Sequence, residues 1–396
     1  MSRRNVWRWK ESQLAKPVVR GRSSDSISEL ADHEVHSDVI VAGRTYEENV
    51  FFPSVVRLHN GELLVAYRAA PSHGSATPGR IMCVRSGDGG RSWSKPEVII
   101  DTPYDDRDPC LAQLSDGTLA LTFDVVEPRR RPSWWYVCIS FSYDYGYTWT
   151  RPVRVTEVRH ATRSRVLEMP DGRLLLPAYR PRDPSRPHEG VRKEDYLRYL
   201  ARVEAGEETR PPDEALTLEN PYVSVLMVSE DGGQTWREQC VIAEEVDGRA
   251  IGFNETALAH VGGGHLVAVM RTDAQWANAC IAHSEDGGRS FGKPRMFRSN
   301  AHAPDMLVIS EDRVLLTYGE CDYRGGYVTR YVVAVLGDAR RDFEGAAEKI
   351  IYTGSGGDAS YPSAELVGPD EVIVVYYDAG VGVIGGRILR LSDLEG

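Results

Sequence analysis

The chain has 396 residues, with 47 Lys or Arg against 58 Asp or Glu, so its formal net charge is −11. This acidic balance excludes the basic face that a generic binder of nucleic acid or anionic membranes carries. A hydrophobic fraction of 41% and a charged fraction of 27% are typical of an ordinary globular chain. No run approaches the roughly 20 apolar residues of a spanning helix. We therefore expect no nucleic-acid partner and no membrane partner.

The N-terminus is basic but has no apolar run of the kind that a secretory signal needs, and we assign residues 1–33 to an N-terminal extension. The six cysteines are too few and too scattered for a disulfide scaffold. The sequence contains neither a CxxC pair nor an HExxH motif, the usual signatures of a zinc site. These features predict a cytoplasmic protein without a metal or another cofactor.

A hairpin unit then recurs six times along the chain. Each copy is a short strand, a turn rich in Gly, Asp or Asn, and a second strand of four to six apolar residues. The six copies start at Pro53, Asp108, Ser164, Asn254, Ala303 and Tyr361. Turns such as Asn60-Gly61 and Asp116-Gly117 favour two-residue hairpins because these residues tolerate a positive φ. The second strands are apolar on both faces, so we expect other strands to cover both of their sides.

A second motif, S-x-D-x-G-x-[ST]-[WF], alternates with the hairpins. Its four copies begin at Ser86, Ser142, Ser229 and Ser284. The Asp can accept backbone N–H groups across a tight turn, the Gly can take a left-handed conformation, and the aromatic residue can pack beneath the hairpin. Four copies of one pattern indicate a repeat architecture.

With these alternating hairpins and Asp boxes, residues 45–390 resemble the sialidase (neuraminidase) superfamily of Asp-box, or BNR-repeat, β-propellers. The resemblance implies an all-β fold, a six-bladed β-propeller of four-stranded antiparallel blades spanning residues 34–396. Residues 34–42 would supply the outer strand that closes the ring.

The third repeat is longer than its neighbours by residues 181–221. Apolar residues at helical spacing predict a short amphipathic helix near 192–206 within this insertion. The insertion follows directly after a second strand. It could therefore be a lid over a site, a contact in a homo-oligomer, or a surface loop without a function.

Polar residues recur where the second strands end and where the inner strands begin. The second strands end in Arg68, Asp124, Arg180, Arg271, Glu320 and Asp378. The inner strands begin with Glu48, Asn49, Arg107, Asp108, Arg163, Arg165, Asn254, Glu255, His302, Asp305, Asp358 and Tyr361. In a propeller these positions meet near the axis, so the set predicts one central basin. The alternative is that each residue is charged only because strand ends are solvated.

The resemblance assigns roles to three of these residues. Tyr361, in the sixth inner strand, matches the nucleophile of the family, and Glu255 matches the Glu that manages the proton of that tyrosine. Arg271 matches the second of three arginines that grip a sugar carboxylate. Such enzymes depart from the two-carboxylate scheme of most glycosidases.

Other family positions differ here. Phe51 stands where the first arginine of the family would be, and the fifth inner strand begins Ala301-His302-Ala303-Pro304-Asp305, without the third. The loop 69–80, where the resemblance implies an Asp acid/base, has His73 as its only titratable candidate. Asp108 and His73 therefore join Tyr361 and Glu255 as candidate catalytic residues. The candidate substrate-binding residues are Arg271, Arg68, Arg107, Arg180, His302 and Asp305.

These residues favour an exo-acting, sialidase-like glycosidase that hydrolyses a terminal, anionic sugar. A uronate lyase on the same fold is an alternative, with His73, His160 or His302 as its base. A propeller that binds carbohydrate without turnover, and an interaction scaffold, are the non-enzymatic alternatives.

Overall fold

The computed structural model describes residues 37–74, 78–127, 134–157, 159–188, 218–273, 279–298, 301–322, 329–355 and 358–395. In these ranges the chain forms 24 strands, arranged as six four-stranded antiparallel sheets. Inner strands of neighbouring sheets contact one another around a common axis. The predicted six-bladed all-β propeller is confirmed.

Each sheet is one blade, and its strands follow in chain order from the axis outward. Blade 1 consists of β2 (Asn49–Arg57), β3 (Leu63–Ala70), β4 (Arg80–Ser86) and β5 (Glu97–Ile100). Blade 2 consists of β6 (Asp105–Gln113), β7 (Leu119–Glu127), β8 (Trp134–Ser142) and β9 (Val153–Arg154). Blade 3 consists of β10 (Leu167–Glu168), β11 (Leu174–Pro181), β12 (Tyr222–Ser229) and β13 (Arg237–Ala243).

The second half of the ring repeats this order. Blade 4 consists of β14 (Phe253–His260), β15 (Leu266–Thr272), β16 (Cys280–Ser284) and β17 (Arg295–Met296). Blade 5 consists of β18 (His302–Ser310), β19 (Arg313–Asp322), β20 (Thr329–Gly337) and β21 (Lys349–Thr353). Blade 6 consists of β22 (Ala359–Leu366), β23 (Glu371–Asp378), β24 (Val383–Arg390) and the N-terminal β1 (Val39–Gly43). Short 3-10 helices cover Ala339–Arg341 and Leu391–Asp393.

The ring closes through its first strand. β1 pairs antiparallel with β24, so the beginning and the end of the propeller share one sheet. The outer strand of the last blade is therefore supplied by the segment before the first blade, as expected, and it covers Val39–Gly43; residues 34–36 of the predicted range 34–42 lie outside the described residues. The pairing also covers the edge of β24, which would otherwise present unpaired backbone groups to other chains.

The core lies between the blades, and the second strands supply both sides of it. In β3, Leu63 and Val65 pack against Ile373 and Val375 of blade 6. The intervening Leu64 packs against blade 2. Because successive side chains point to opposite faces of a strand, the apolar run fills two interfaces at once. Each such buried Leu or Val contributes about 1.5–3 kcal/mol.

The four Asp boxes form the predicted turns. In the first, Asp88 Oδ1 accepts the Ser92 backbone N–H at 2.9 Å, and Ser86 Oγ accepts the Gly90 N–H at 2.9 Å. Trp93 Nε1 donates to the Gly90 carbonyl at 3.0 Å. Asp144, Asp231 and Asp286 make the same contacts in the other copies. These turns join third and fourth strands, so they lie at the end of the propeller opposite to the starts of the inner strands.

The insertion in the third repeat leaves the ring between β11 and β12. The Arg182 N–H donates to the Pro221 carbonyl at 2.8 Å, and the Asp183 N–H donates to Asn220 Oδ1 at 2.8 Å, so the two ends of the insertion are joined. The helix predicted near 192–206 lies outside the described residues. Within the part of the chain that the structure describes, no helix is long and apolar enough to cross a membrane.

Candidate functional site

The inner strands share an unusual backbone feature near their first residues. Two residues of the inner strand oppose one residue of the second strand, which is a β-bulge. The first bulged residue has a positive φ in five blades: Phe52 (55°), Asp108 (52°), Glu255 (43°), Ala303 (45°) and Tyr361 (56°). Positive φ costs a non-glycine residue about 1–2 kcal/mol. Strain repeated at one level of the axis marks this level as a functional candidate.

In chain order, the third blade supplies Arg163 at the same repeat position. We call these six residues the axial ring: Phe52, Asp108, Arg163, Glu255, Ala303 and Tyr361. In five blades a bulge changes the direction in which the side chain of the ring residue points. Arg163 reaches the ring from the loop before β10 and lies close to Tyr361. The ring therefore brings two aromatic rings, those of Phe52 and Tyr361, to the same level of the propeller as two carboxylates and the Arg163 guanidinium.

Tyr361 and Glu255 meet at the centre of the ring. The Tyr361 hydroxyl donates to Glu255 Oε1. The other oxygen, Glu255 Oε2, accepts Arg271 Nη1 at 2.9 Å and the backbone N–H of Ala303 at 3.0 Å. The structure thus brings together the three residues that the resemblance had linked, although they come from strands far apart in the chain.

The electrostatics of this contact are asymmetric. Burial by itself raises the pKa of Glu255, but the Arg271 charge and the donated hydrogen bonds bring it below its usual value. Burial and the Glu255 charge hold the pKa of Tyr361 well above its usual value, against a smaller opposing effect of Arg271. At neutral pH the pair is therefore a carboxylate that accepts a hydrogen bond from a neutral phenol.

A second acidic group lies on the blade 2 side of the ring. Asp108 Oδ2 accepts Arg107 Nε at 3.0 Å, and the Arg107 guanidinium lies over the rings of Phe52 and Trp135, at 5.2 and 5.1 Å. Behind them Asp124 is completely buried. Burial and the neighbouring Asp108 charge raise its pKa well above the usual range. Asp108 and Arg107 therefore belong to the central site.

Arg163 belongs to the site, although the sequence placed it only among the polar residues of the basin and gave it no catalytic or substrate-binding role. Its guanidinium reaches across the axis, where Nη1 donates to Cys110 Sγ at 2.7 Å and Nη2 donates to the Pro53 carbonyl at 2.7 Å. It also lies 5.5 Å from the centroid of the Tyr361 ring. The signal was present in the repeat: the other axial-ring residues precede Pro or Thr at the same position, and Arg163 precedes Ser164 there.

His73 lies at the mouth of the site. Its Nδ1 is hydrogen-bonded to Asp358 Oδ2, and its ring makes an edge contact with Phe52 at 5.0 Å between centroids. Phe52 in turn contacts Tyr361 at 4.8 Å. The His73 side chain is 45% exposed, so it is open to solvent while one nitrogen is fixed by Asp358. Burial alone would raise the pKa of Asp358, but the hydrogen bonds and charges around it, that of His73 foremost, bring it below its usual value.

Asp305 lies one step further along the axis from the axial ring. It accepts Arg165 Nη2 at 3.0 Å and the Ala364 backbone N–H at 2.9 Å, and Arg165 also donates to Ser363 Oγ at 2.9 Å. This network crosses the axis directly beneath Tyr361 and supports the ring. Asp305 is therefore placed as a supporting residue, which differs from the substrate contact that we expected.

Two predicted substrate-binding arginines are held in ion pairs outside the axial ring, which corrects their interpretation as open substrate ligands, although the Arg68 guanidinium lies 6.0 Å from the centroid of the Phe52 ring. Arg68 is completely buried, donates to Asp105 Oδ1 at 2.9 and 2.7 Å, and donates to the Ser72 carbonyl at 2.8 Å. Arg180 pairs with Glu238 of the outer strand β13 through two contacts of 2.9 Å. Both lie at ends of second strands, and such positions pack between blades or over outer strands. Of the three predicted second-strand arginines, Arg271 reaches the ring.

His302 is buried rather than open to a ligand. Its Nε2 lies 3.8 Å from Cys321 Sγ, and it is 5% exposed. Burial and the charges of Arg271 and Arg330 hold its pKa well below the usual value. A neutral, enclosed imidazole of this kind supports the site from behind. Among the described residues, no three His, Cys, Asp or Glu side chains come together as a metal site.

Comparison with known proteins places this geometry in a family. The profile of the BNR repeat-like domain matches residues 103–368, more than half of the chain. The chain belongs to the BNR repeat-like family. This family lies within the sialidase-like superfamily of six-bladed propellers, as the resemblance had implied.

Individual relatives agree with this placement. A sialidase from Micromonospora viridifaciens is 26% identical over 276 residues, which are 64% of this chain and 38% of the relative. A structure of a protein of unknown function from Dyadobacter fermentans is similar with a TM-score of 0.72 and 25% identity, over 90% of this chain and 98% of that one. The NanB sialidase of Streptococcus pneumoniae has a TM-score of 0.62 at 10% identity, over 94% and 73%. The matched region thus spans well under half of the curated relative.

Proposed function

We propose that this protein is an exo-acting glycosidase that hydrolyses a terminal, anionic sugar, with Tyr361 as nucleophile. The observation that carries this proposal is the buried contact of Tyr361 with Glu255, which is itself held by Arg271. A tyrosine with a raised pKa is a poor nucleophile alone, so it needs a base in direct contact. Glu255 is in that contact, and it takes the phenolic proton as the Tyr361 oxygen attacks the anomeric carbon.

Charge around the ring supports an anionic substrate. Three guanidinium groups, those of Arg107, Arg163 and Arg271, surround Tyr361, whereas two carboxylates, Asp108 and Glu255, lie beside it. The remaining positive charge attracts a carboxylate or sulfate, which Arg can bind through paired N–H groups. A neutral phenol as nucleophile also avoids the repulsion that an anionic nucleophile would meet from such a substrate.

His73 is the proposed acid/base. In the neutral ring one nitrogen donates and the other accepts, and the contact with Asp358 fixes which nitrogen faces solvent. The free nitrogen lies at the mouth, on the blade 1 and blade 6 side, where a leaving group departs. With a proton on this nitrogen, His73 would protonate the glycosidic oxygen. The neutral nitrogen left behind would then take a proton from the water that releases the sugar, while Glu255 returns the phenolic proton to the Tyr361 oxygen.

The test is a panel of 4-methylumbelliferyl glycosides of sialic acid, uronic acids and neutral sugars. We expect release from an acidic sugar, and a loss of at least about 10³-fold in kcat for Tyr361→Phe. Tyr377→Phe is the matched control, because Tyr377 is a buried tyrosine 5.7 Å from the Tyr361 ring, but its neighbouring acid is Asp358. Equal activity of wild type and Tyr361→Phe on the best substrate would overturn the assignment.

The same panel tests His73. We expect His73→Ala to lose more activity on an unactivated glycan than on the aryl glycosides, because an aryl leaving group needs less protonation. A uniform loss over both kinds of substrate would remove His73 from the acid/base role.

A uronate lyase remains the second candidate, because His73 is an exposed imidazole beside a carboxylate at the mouth of the site. A base in this position could remove an acidic C–H proton from a uronic acid. Such a reaction would leave an unsaturated product that absorbs in the near ultraviolet, and hydrolysis would not. Appearance of this product, abolished by His73→Ala and retained in Tyr361→Phe, would replace the hydrolase by the lyase.

A further inference from the structure

A cavity of about 240 Å³ opens beside the central site, between blade 2 and the start of the insertion. Its lining residues are Trp135, Arg159, His160, Ala161, Pro181, Pro187, His188 and Tyr222. Pockets that enclose drug-sized ligands measure about 300–1,000 Å³. This cavity therefore has room for one substituent or part of a single sugar ring.

Arg159 is the arginine that lines the cavity. It has a positive φ of 70°, a conformation that few non-glycine residues adopt. Its Nη1 is buried and has no hydrogen-bond partner among the described residues. Hydrogen bonds from Ser185 lower the pKa of Asp183, and the charge of Arg159 lowers it further, so Asp183 and Arg159 are near each other. The Asp183 carboxylate, however, accepts its hydrogen bonds from the Ser185 N–H and hydroxyl, at 2.9 and 2.6 Å. An arginine with a strained backbone, whose Nη1 is buried without a partner and which lines a cavity, is suited to a ligand anion.

The walls of the cavity are tied to the central site. Trp135 lines the cavity, and the Arg107 guanidinium lies over its ring. On the other side, His188 stacks on Tyr222 with 3.6 Å between centroids and 5° between planes. His188 also bonds to Asp273 at 2.8 Å, and Asp273 accepts Asn254 Nδ2 at 2.6 Å. Asn254 directly precedes Glu255, so the cavity and the catalytic strand β14 share one network.

We infer that this cavity is a subsite for an anionic substituent, a carboxylate or a sulfate ester, on the sugar that occupies the central site, with Arg159 as its ligand. The inference rests on the proposed function for the place of that sugar. The substituent would bind Arg159 Nη1 against the flat faces of Trp135 and Tyr222. Because His73 lies on the blade 1 and blade 6 side, the leaving group points away from the cavity, and the cavity receives part of the terminal sugar.

The test is binding, measured by calorimetry and ligand-observed NMR without turnover. The probes are methyl β-D-glucuronide, the 6-sulfate of methyl β-D-glucoside, and the neutral methyl β-D-glucoside. We expect at least one anionic probe to bind about tenfold or more tightly than the neutral probe, since a charge-assisted hydrogen bond contributes that much. The carboxylate and sulfate arms show which of the two groups the subsite prefers.

Two substitutions remove the guanidinium, Arg159→Gln and Arg159→Gly. The Gly variant suits the positive φ, so its Tm should be unchanged or higher, and a loss of binding cannot then come from misfolding. Arg154→Gln is the control, because Arg154 lies in the same blade, bonds to the Thr156 carbonyl at 2.7 Å and stacks on Tyr136. We expect both Arg159 variants to lose the preference for the anion and the control to keep it.

The outcomes separate this inference from the proposed function. Arg159-dependent binding without any hydrolysis of the panel would contradict the glycosidase and leave the subsite standing. An unchanged preference for the anion in both Arg159 variants would overturn the subsite, because the arginines of the central site would then account for it. The absence of any preference in the wild type would overturn it as well.

Discussion

The ion pair of Glu255 and Arg271 offers a test that needs no substrate. Glu255 is 8% exposed and Arg271 is 24% exposed, and Arg271 Nε is buried without a hydrogen-bond partner among the described residues. Removing one partner of a buried pair typically costs 3–5 kcal/mol, because the other charge stays behind uncompensated. Because Arg271 is partly exposed, we expect Glu255→Ala to lower the free energy of unfolding by about 3 kcal/mol, at the lower end of this range. For a chain of this length, that is a fall in Tm of roughly 4 °C.

The reverse substitution should cost less. After Arg271→Met, Glu255 still accepts hydrogen bonds from the Tyr361 hydroxyl and the Ala303 N–H, so its charge is partly satisfied. After both substitutions no unpaired charge remains, and the cost should fall below the sum of the single costs by about 2 kcal/mol. The assay is thermal unfolding at one scan rate for the wild type, both single variants and the double variant. Additive costs within about 0.5 kcal/mol would refute the reasoning.

The pH dependence has a definite sign. The pKa of Glu255 is lower in the folded protein than its ordinary value near 4.3, so the pair stabilises the fold at pH above that value. The stabilisation is lost as the pH falls through the folded-state pKa. The gap in Tm between wild type and Glu255→Gln should therefore shrink as the pH is lowered from 7 toward 3. A gap that widens over this range would contradict the assigned pairing.

Two further predictions concern stability alone. Burial raises the pKa of Asp106 to about 6, although Thr102 donates two hydrogen bonds to it. The ionised carboxylate therefore destabilises the fold as the pH rises through about 4 to 6. We expect Asp106→Asn to raise the free energy of unfolding by up to about 3 kcal/mol at pH 8, and to leave it unchanged near pH 4. Tyr145 has a φ of 60° at the Asp-box position where Gly232 has 72° in another copy. Tyr145→Gly should therefore stabilise the fold by up to about 1 kcal/mol, and Gly232→Tyr should destabilise it even though a Cβ there meets no atom within 4 Å. Equal Tm values for both variants and the wild type would contradict this strain.

The fold was predictable because its signals are local and repeated. An Asn-Gly turn, an Asp-box serine and a strand apolar on both faces each constrain a few neighbouring residues, and their recurrence fixes the number of blades. The pairing of β1 with β24 joins distant parts of the chain, and it was expected because the family resemblance implied a ring closed by an N-terminal strand. Local chemistry and repetition together therefore determined the architecture.

The site was only partly predictable because side-chain direction is decided by the bulges. Arg68 and Arg271 occupy equivalent ends of second strands, but Arg68 pairs with buried Asp105 and Arg271 reaches Glu255. Composition at a strand end does not distinguish these outcomes. Arg163 enters the site from the loop that precedes β10, at the repeat position where the other five blades carry a bulge. Aligning this position across the six repeats would have selected it.

The distribution of charge around the axis has a consequence for the orientation of the sugar. Arg107, Arg163 and Arg271 come from blades 2, 3 and 4, which are neighbours, whereas blades 1 and 5 place Phe52 and Ala303 at the axial ring. The cationic half of the ring therefore faces an aromatic half that carries His73 at its mouth. For the proposed anionic sugar we therefore expect the charged group to face blades 2–4 and the apolar face to lie on Phe52, because the two halves differ in charge and in polarity. In this orientation the glycosidic oxygen would point toward His73, so a single orientation would suit the charge, the proposed nucleophile and the proposed acid.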